Sequence, residues 1–201
     1  MRILLISSRF YPFTGGVEKV VANLAREFSR EHEVLVIASK MGPAKEASET
    51  IKGIPIKRIW LNLPRSVPGF LLFPIRFVAG LIGLMGQIQQ FRPDVINYHF
   101  PDDSSVYIYF AKKILGFPLV LNIHGNDLQI FGKRVWYRFF LGKLTLSSKT
   151  IIVNSSYIKG ELLKEFPEVK SKIRTIPNGV DEKLFRIVAQ AGEEKSPNPP
   201  N

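Results

Sequence analysis

A regular alternation of short apolar runs with helical patterns constrains the fold of this chain more than any other feature of its sequence. Residues 2–7 (RILLIS) have the length of a β-strand, and residues 33–39 (EVLVIAS) form a second, β-branched run. Between them, apolar residues recur from Val17 to Phe28 with the spacing of an amphipathic helix. Further candidate strands are residues 54–61, 94–100, 119–124, 149–154 and 172–177.

These candidate strands are almost continuously apolar, whereas strands with one solvated face alternate apolar and polar residues. Continuous apolar strands are typical of a parallel sheet that is covered on both faces. Successive parallel strands require right-handed crossovers, and the intervening helical patterns are long enough to provide them. The sequence therefore predicts an α/β domain with a Rossmann-like, doubly wound, mostly parallel sheet and helices on both faces.

Charge and composition narrow the classes of partner and site. The chain has 28 Lys and Arg against 17 Asp and Glu, a formal charge of +11, which favours anionic ligands. The basic residues are scattered rather than arranged in one stripe, so we expect no nucleic-acid partner. The absence of cysteine excludes disulfides, zinc–thiolate sites and thiol nucleophiles. No set of metal ligands is apparent, so we expect no metal.

The stretch from Gly69 to Gln87 approaches the length of about 20 apolar residues that a membrane span requires. Pro74, Arg76 and the internal glycines argue against a span. Two alternatives follow: an apolar helix that covers the domain, or a helix that contacts an anionic membrane surface. The opening MRILLIS is too short for a signal peptide. We therefore expect a cytoplasmic location, with a peripheral position on the inner membrane face as the alternative.

Two adjacent glycines, Gly15 and Gly16, separate the first candidate strand from the first candidate helix, in the segment TGGVE. Unpaired backbone N–H groups and the positive end of the dipole at a helix N-terminus favour an anion. The alternative is that the glycines only turn the chain. TGGVE matches neither the G-x-G-x-x-G fingerprint nor a Walker A loop, so NAD-type and P-loop chemistry lose support.

Two of the three histidines, His99 and His124, lie at the carboxyl ends of candidate strands, in DVINYHF and VLNIHGND. Ligands of open α/β sheets bind outside these carboxyl ends, where TGGVE is also expected to lie. A hydrogen-bonded structural role is the alternative for each histidine. Asp102 and Asp103 could bind a hard cation, but capping of the following helix explains the pair more simply.

Taken in order, these stretches resemble the amino-terminal half of the GT-B-fold retaining glycosyltransferases of family four. The resemblance covers residues 1–185 and consists of FYPFTGGVEKVVANLAREF, RPDVINYH, LNIHGND, IIVNSS and IPNGVDEKLF. The ordered set is far more specific than any one motif. It implies an enzyme of two Rossmann-like domains, in which the first binds the acceptor and the second holds most of a nucleotide-sugar donor.

The resemblance also implies roles for individual residues. Gly15 and Gly16 face the donor diphosphate, and His124 lies beside the transferred sugar and orients groups rather than acting as a base. The acceptor side of the cleft is assigned to Glu18, His99, Asp127, Asn154 and Ser155, and the crossover towards the second domain to Asn178, Gly179 and Asp181. The nucleotide-diphosphate sugar is a co-substrate, so no further cofactor is expected.

The chain departs from this family after Phe185, where 16 residues remain and no donor-binding domain follows. We therefore expect an acceptor-binding domain over residues 1–185 and a flexible tail over 186–201. Such a half-enzyme would be inactive or weakly active without a carboxy-terminal donor-binding domain. The alternative is a non-catalytic binding module, or a subunit that pairs with a separate donor-domain protein.

Overall fold

The computed structural model describes residues 1–13, 15–40, 47–63, 72–131 and 134–179. They form one eight-stranded sheet with the order β3-β4-β2-β1-β5-β6-β7-β8. Every neighbouring pair is parallel except the edge pair of β3 and β4. The strands are β1 Arg2–Ser7, β2 Glu33–Ser39, β3 Ser48–Ile51, β4 Ile54–Ile59, β5 Val95–His99, β6 Leu119–Ile123, β7 Thr150–Val153 and β8 Ile173–Thr175. The predicted doubly wound, mostly parallel sheet is confirmed.

Five α-helices connect these strands within the described ranges: α1 Gly16–Phe28, α2 Phe73–Phe91, α3 Ser105–Leu115, α4 Val135–Ser147 and α5 Ser156–Glu165. A π-helical turn, Asp127–Phe131, follows β6, and a 3-10 helix, Pro167–Lys172, precedes β8. None of the helices in these ranges combines the length and apolar character needed to cross a membrane.

The right-handed crossover rule explains how the helices divide between the two faces. The chain moves from β1 to β2 in one direction along the sheet, and from β4 through β5 to β8 in the other. Right-handed connections in opposite directions lie on opposite faces. Accordingly α1 packs through Val21 and Ala25 onto one face, whereas α2 to α5 pack on the other, where Leu84, Tyr107 and Leu141 join the larger apolar core. The prediction of helices on both faces is confirmed. Of the five described α-helices, one covers one face and four cover the other.

The edge strand β3 is a finding that the sequence patterns did not predict. It pairs with β4 through a two-residue turn, Lys52 and Gly53, both of which have positive φ angles of 52° and 81°. Turns of this kind match the twist of antiparallel strands. Three of the four residues of this strand (SETI) are polar, and they alternate between exposed and half-buried positions. An edge strand can be polar because it is not covered on both faces by other elements. Hydrophobic periodicity therefore gave no signal for it.

Candidate functional site

The carboxyl ends of four neighbouring strands form one edge of the sheet. Ser7 at the end of β1 pairs in register with His99 of β5, and His99 pairs with Asn122 of β6. Ile123 of β6 pairs with Val153 of β7. His124 and Asn154 are the next residues after these two strands, so the topology brings them side by side. The helix α1 also begins at this edge, two strands away from β6.

Asp127 organises the loop that contains His124. Its carboxylate accepts hydrogen bonds from the backbone N–H groups of His124 (2.9 Å), Gly125 (2.6 Å) and Leu128 (3.2 Å). The side chain is fully buried, and this burial raises the pKa of Asp127 to about 6, although the three N–H groups act in the opposite direction. The sequence assigned Asp127 to the acceptor side of the cleft, and in the structure its buried carboxylate holds the loop that contains His124.

Gly125 in the same loop has a φ angle of 114°, which side-chain-bearing residues rarely adopt. A Cβ atom at this position would also lie 2.8 Å from Ile158 Cδ1. The glycine is therefore required for the turn itself. Asn154 adds a further contact, because its Nδ2 donates a hydrogen bond of 3.3 Å to the carbonyl oxygen of His124.

His99 and His124 contact one another at the sheet edge. His99 Nδ1 lies 3.3 Å from His124 Nε2, and the ring centroids are 5.6 Å apart. Burial lowers the pKa of His124 to about 4, and burial together with the neighbouring His124 lowers the pKa of His99 to about 3. Both rings are therefore neutral at pH 7. The sequence assigned His99 to the acceptor side of the cleft, and in the structure its side chain is fully buried behind His124.

A buried hydroxyl network joins β1, β5 and the start of α3. Asp102 Oδ1 accepts hydrogen bonds from Ser8 Oγ (2.6 Å) and from the backbone N–H of Ser104 (2.8 Å). Tyr98 Oη hydrogen-bonds Ser104 Oγ at 2.8 Å, and burial raises the pKa values of Tyr98 and Asp102. Asp102 thus closes the turn before α3, which begins at Ser105. Within the described ranges, no group of three or more acidic or histidine side chains could hold a metal.

Gly15 and Gly16 form the N-terminus of α1, where Gly15 is the capping residue and has no side-chain hydrogen bond to offer. A Cβ atom on Gly15 would lie 2.4 Å from Glu18 Oε2, whereas a Cβ atom on Gly16 would meet no atom of the described residues within 4 Å, apart from its chain neighbours and the backbone of its own helix. The backbone of Gly16 is therefore open on its outer side. Glu18, which the sequence assigned to the acceptor side of the cleft, is almost fully buried against this turn.

A cavity of about 760 Å³ lies between α1 and the strands β5 to β7. Four predicted site residues line it: His124, Asn154, Asn178 and Gly179. Two unpredicted residues, Asn97 and Asn122, also line it, and the Asn122 amide donates a hydrogen bond to Asn97 Oδ1. One feature of the sequence could have predicted these two residues as part of the site. Each is an asparagine inside an otherwise apolar strand, and the two positions share a face of the sheet.

The remaining predicted site residues lie elsewhere. Gly15 and Gly16 do not line the cavity, although they begin α1, which forms one of its walls. Ser155 is the N-cap of α5, where its Oγ accepts the backbone N–H of Ile158 at 3.3 Å. Asp181 and the tail 186–201 are outside the described residues.

Known proteins resemble this chain both in sequence and in structure. It is 26% identical over 192 residues to the GDP-mannose:cellobiosyl-diphosphopolyprenol alpha-mannosyltransferase of Xanthomonas oryzae pv. oryzae, which covers 90% of this chain and 47% of that protein. It is 26% identical over 148 residues to TuaC of Bacillus subtilis, a putative teichuronic acid biosynthesis glycosyltransferase, covering 73% of this chain and 37% of TuaC. The chain thus spans half or less of the length of these relatives.

Solved structures share the fold at lower identity. Anabaena HepE, determined in complex with UDP-glucose, superposes with a TM-score of 0.68 at 17% identity, over 98% of this chain and 51% of HepE. The sucrose-phosphate synthase of Thermosynechococcus elongatus gives a TM-score of 0.69 at 17% identity, over 95% of this chain and 52% of that one. The predicted GT-B amino-terminal fold is confirmed. The family model Glycosyltransferase Family 4 matches residues 14–184, and the chain therefore belongs to that family.

Proposed function

We propose that this chain is the acceptor-side half of a retaining, sugar-nucleotide-dependent glycosyltransferase. The observation that carries the proposal is the convergence of His124 and the N-terminus of α1 on one edge of the sheet. Ligands of doubly wound sheets bind outside this edge. The chain also spans about half of its mannosyltransferase relative, which leaves room for a separate donor-binding half.

In this proposal, the donor diphosphate approaches the backbone of Gly16, where a Cβ atom would meet no more distant part of the described chain within 4 Å. Backbone N–H groups at a helix N-terminus stabilise negative charge that develops on a leaving diphosphate. The buried carboxylate of Glu18 lies against Gly15, so Gly16 is the residue left for the anion. A second wall of this site would come from the donor-binding half.

The proposed transfer needs no general base from this chain. The acceptor hydroxyl oxygen attacks the anomeric carbon on the face that the diphosphate leaves, and the leaving phosphate oxygen takes the acceptor proton. One C–O bond forms as the other breaks, and because both lie on the same face of the sugar, the anomeric configuration is retained. His124 is neutral at pH 7 because burial lowers its pKa to about 4, which fits an orienting role beside the transferred sugar.

The experiment compares this chain alone with a protein that joins it to a family donor-binding half. Both are assayed with UDP- and GDP-sugars and with glycans linked to diphosphopolyprenol, the acceptor class named for the Xanthomonas relative. We expect transfer with retained configuration from the two-domain protein and none from the chain alone. Acceptor binding by the chain, with no transfer from the two-domain protein, would instead support a non-catalytic module.

We further propose that α2 contacts an anionic membrane surface, where a lipid-linked acceptor would be found. Ile75, Val78 and Ile82 follow one another at helical spacing, and their side chains are 70%, 53% and 65% exposed. Trp60 lies beside this helix, with the Arg76 guanidinium 5.2 Å from its ring centroid. Exposed aliphatic side chains flanked by Trp and Arg are typical of helices that lie in a membrane interface.

The membrane proposal predicts that the chain cosediments with phosphatidylglycerol vesicles at low salt and much less with phosphatidylcholine vesicles. The combined change Ile75→Ser, Val78→Ser and Ile82→Ser should weaken this binding by about tenfold or more, because it removes apolar surface from the contact. Ile176→Ser is the matched control, since Ile176 is also exposed but lines the cavity on the opposite face of the sheet. An absence of binding to anionic vesicles at low salt would contradict the proposal.

A further inference from the structure

The two nitrogen atoms of His99 have very different surroundings. Nδ1 faces His124 Nε2 at 3.3 Å, while Nε2 is buried and has no hydrogen-bond partner among the described residues. His124 differs: its Nδ1 has no partner in the described part of the chain either, but it is not a buried atom, and the residue lines the cavity. One histidine therefore lies behind the site, and the other faces it.

Two neutral imidazoles that meet nitrogen to nitrogen can share one hydrogen bond in two ways. In the first arrangement, His99 Nδ1–H donates to His124 Nε2, and His124 carries its proton on Nδ1. In the second arrangement, His124 Nε2–H donates to His99 Nδ1, and the proton of His99 must then lie on Nε2. The two arrangements leave opposite groups at His124 Nδ1: a donor in the first and an acceptor in the second.

The buried Nε2 of His99 distinguishes the two arrangements. In the second arrangement it would be an N–H group without an acceptor, whereas in the first it is an unprotonated nitrogen. Buried N–H groups without an acceptor are rarer in native proteins than acceptors with unused capacity. The first arrangement is therefore favoured, and it places the proton of His124 on Nδ1, which is not a buried atom, in a residue that lines the cavity.

We propose that His99 is a positioning residue that holds His124 as its Nδ1–H tautomer, so that His124 offers a hydrogen-bond donor to an oxygen atom of the bound ligand. This inference deepens the proposed function: given that function, the ligand oxygen is a hydroxyl or phosphoryl oxygen of the sugar nucleotide or acceptor. It also assigns a use to His99, which is fully buried and cannot contact a ligand itself. Free histidine in water prefers the other tautomer, so the protein must impose this one.

The test is the tautomeric state of each imidazole in the 15N-labelled chain at pH 7, from long-range 1H–15N correlation spectra. The three histidines are assigned by single substitution with glutamine. We expect His99 and His124 both to be protonated at Nδ1. A His124 ring protonated at Nε2, or averaged between the two forms, overturns the proposal. The wild-type spectrum decides this, and the glutamine variants serve only to assign its signals.

His99→Phe tests whether His99 imposes the tautomer. The phenyl ring keeps much of the buried volume but offers no N–H, so His124 should shift to mainly Nε2 protonation. His32→Gln is the matched control, because it removes another histidine with a buried, unpaired Nδ1 atom and should leave the His124 spectrum unchanged. A His124 ring that stays Nδ1-protonated in a folded His99→Phe variant removes the positioning role. None of these spectra depends on glycosyl transfer, so failure of the proposed function would be seen separately.

Discussion

Replacing Gly16 with valine in a protein that joins this chain to a donor-binding half should lower kcat/KM for glycosyl transfer by about 100-fold or more, while the chain still folds. Removing one donor from a preorganised anion site costs about this much in other enzymes. The valine side chain would occupy the open side of the Gly16 backbone, where the proposed diphosphate would lie. Steady-state kinetics and a thermal melt of the same sample measure the two effects.

Gly16→Val can test anion binding separately from folding, because the fold itself does not require glycine at this position. Beyond the neighbouring backbone, a Cβ atom at Gly16 would meet none of the residues that the structure describes within 4 Å. Gly16 is also the first residue of α1, where a β-branched side chain costs less than about 1 kcal/mol. No contact with the described residues requires glycine here, so a loss of transfer in a folded Gly16→Val variant would support a bound anion at this position. Transfer at the wild-type rate by Gly16→Val would contradict the phosphate-facing role.

Gly15→Ala is an instructive comparison that should not be used alone. Its Cβ atom would lie 2.4 Å from Glu18 Oε2, so the variant must displace the Glu18 carboxylate from its buried position. A loss of activity in Gly15→Ala would therefore combine a structural change with a blocked anion site. Gly16→Val separates the two effects.

Asp127→Ala should lower the free energy of unfolding of this chain by about 3–5 kcal/mol, measured by urea denaturation at pH 7. Its carboxylate is the acceptor for three backbone N–H groups, and a buried N–H group that loses its partner costs about 1–3 kcal/mol. Water can enter the vacated space and recover part of this loss. The loop that presents His124 should also lose its order.

Two further variants define the origin of this effect. Asp127→Asn keeps the size and one oxygen acceptor but replaces the second oxygen with a donor, so we expect an intermediate loss of stability. Glu161→Ala removes a carboxylate that pairs with Lys164 on the surface of α5, and it should leave stability within experimental error. An Asp127→Ala chain as stable as Glu161→Ala would show that the hydrogen bonds to the loop contribute little.

The polar edge of the sheet shows where sequence reasoning succeeded and where it failed. The positions of His124 and Asn154 after adjacent strands followed from the strand pattern alone, because parallel strands end at a common edge. The strand pattern did not predict which side chains at this edge are buried, because burial depends on which other elements cover the edge. His99, Asp127 and Glu18 resemble site residues in sequence, yet packing has placed all three under the surface.

Asn97 and Asn122 line the cavity although the sequence analysis did not identify them as site residues. Each interrupts an apolar strand, but nothing local to either strand shows that the two amides meet across the β5–β6 pair. Only the parallel register of these strands brings them together. The strand β3 was missed for a related reason, since its stability comes from pairing with β4 rather than from an apolar pattern of its own.

Apart from the edge strand β3, the sequence by itself determined the order of strands and helices, the parallel sheet and the family, because these follow from hydrophobic periodicity and from motifs in a fixed order. The tertiary structure alone decided which site residues face a cavity and which support it from beneath. The physical reason is that exposure and hydrogen-bond partners arise from contacts between distant segments. His99 and His124 are 25 residues apart in the sequence but 3.3 Å apart at the sheet edge, so only the fold distinguishes the buried ring from the one that can meet a ligand.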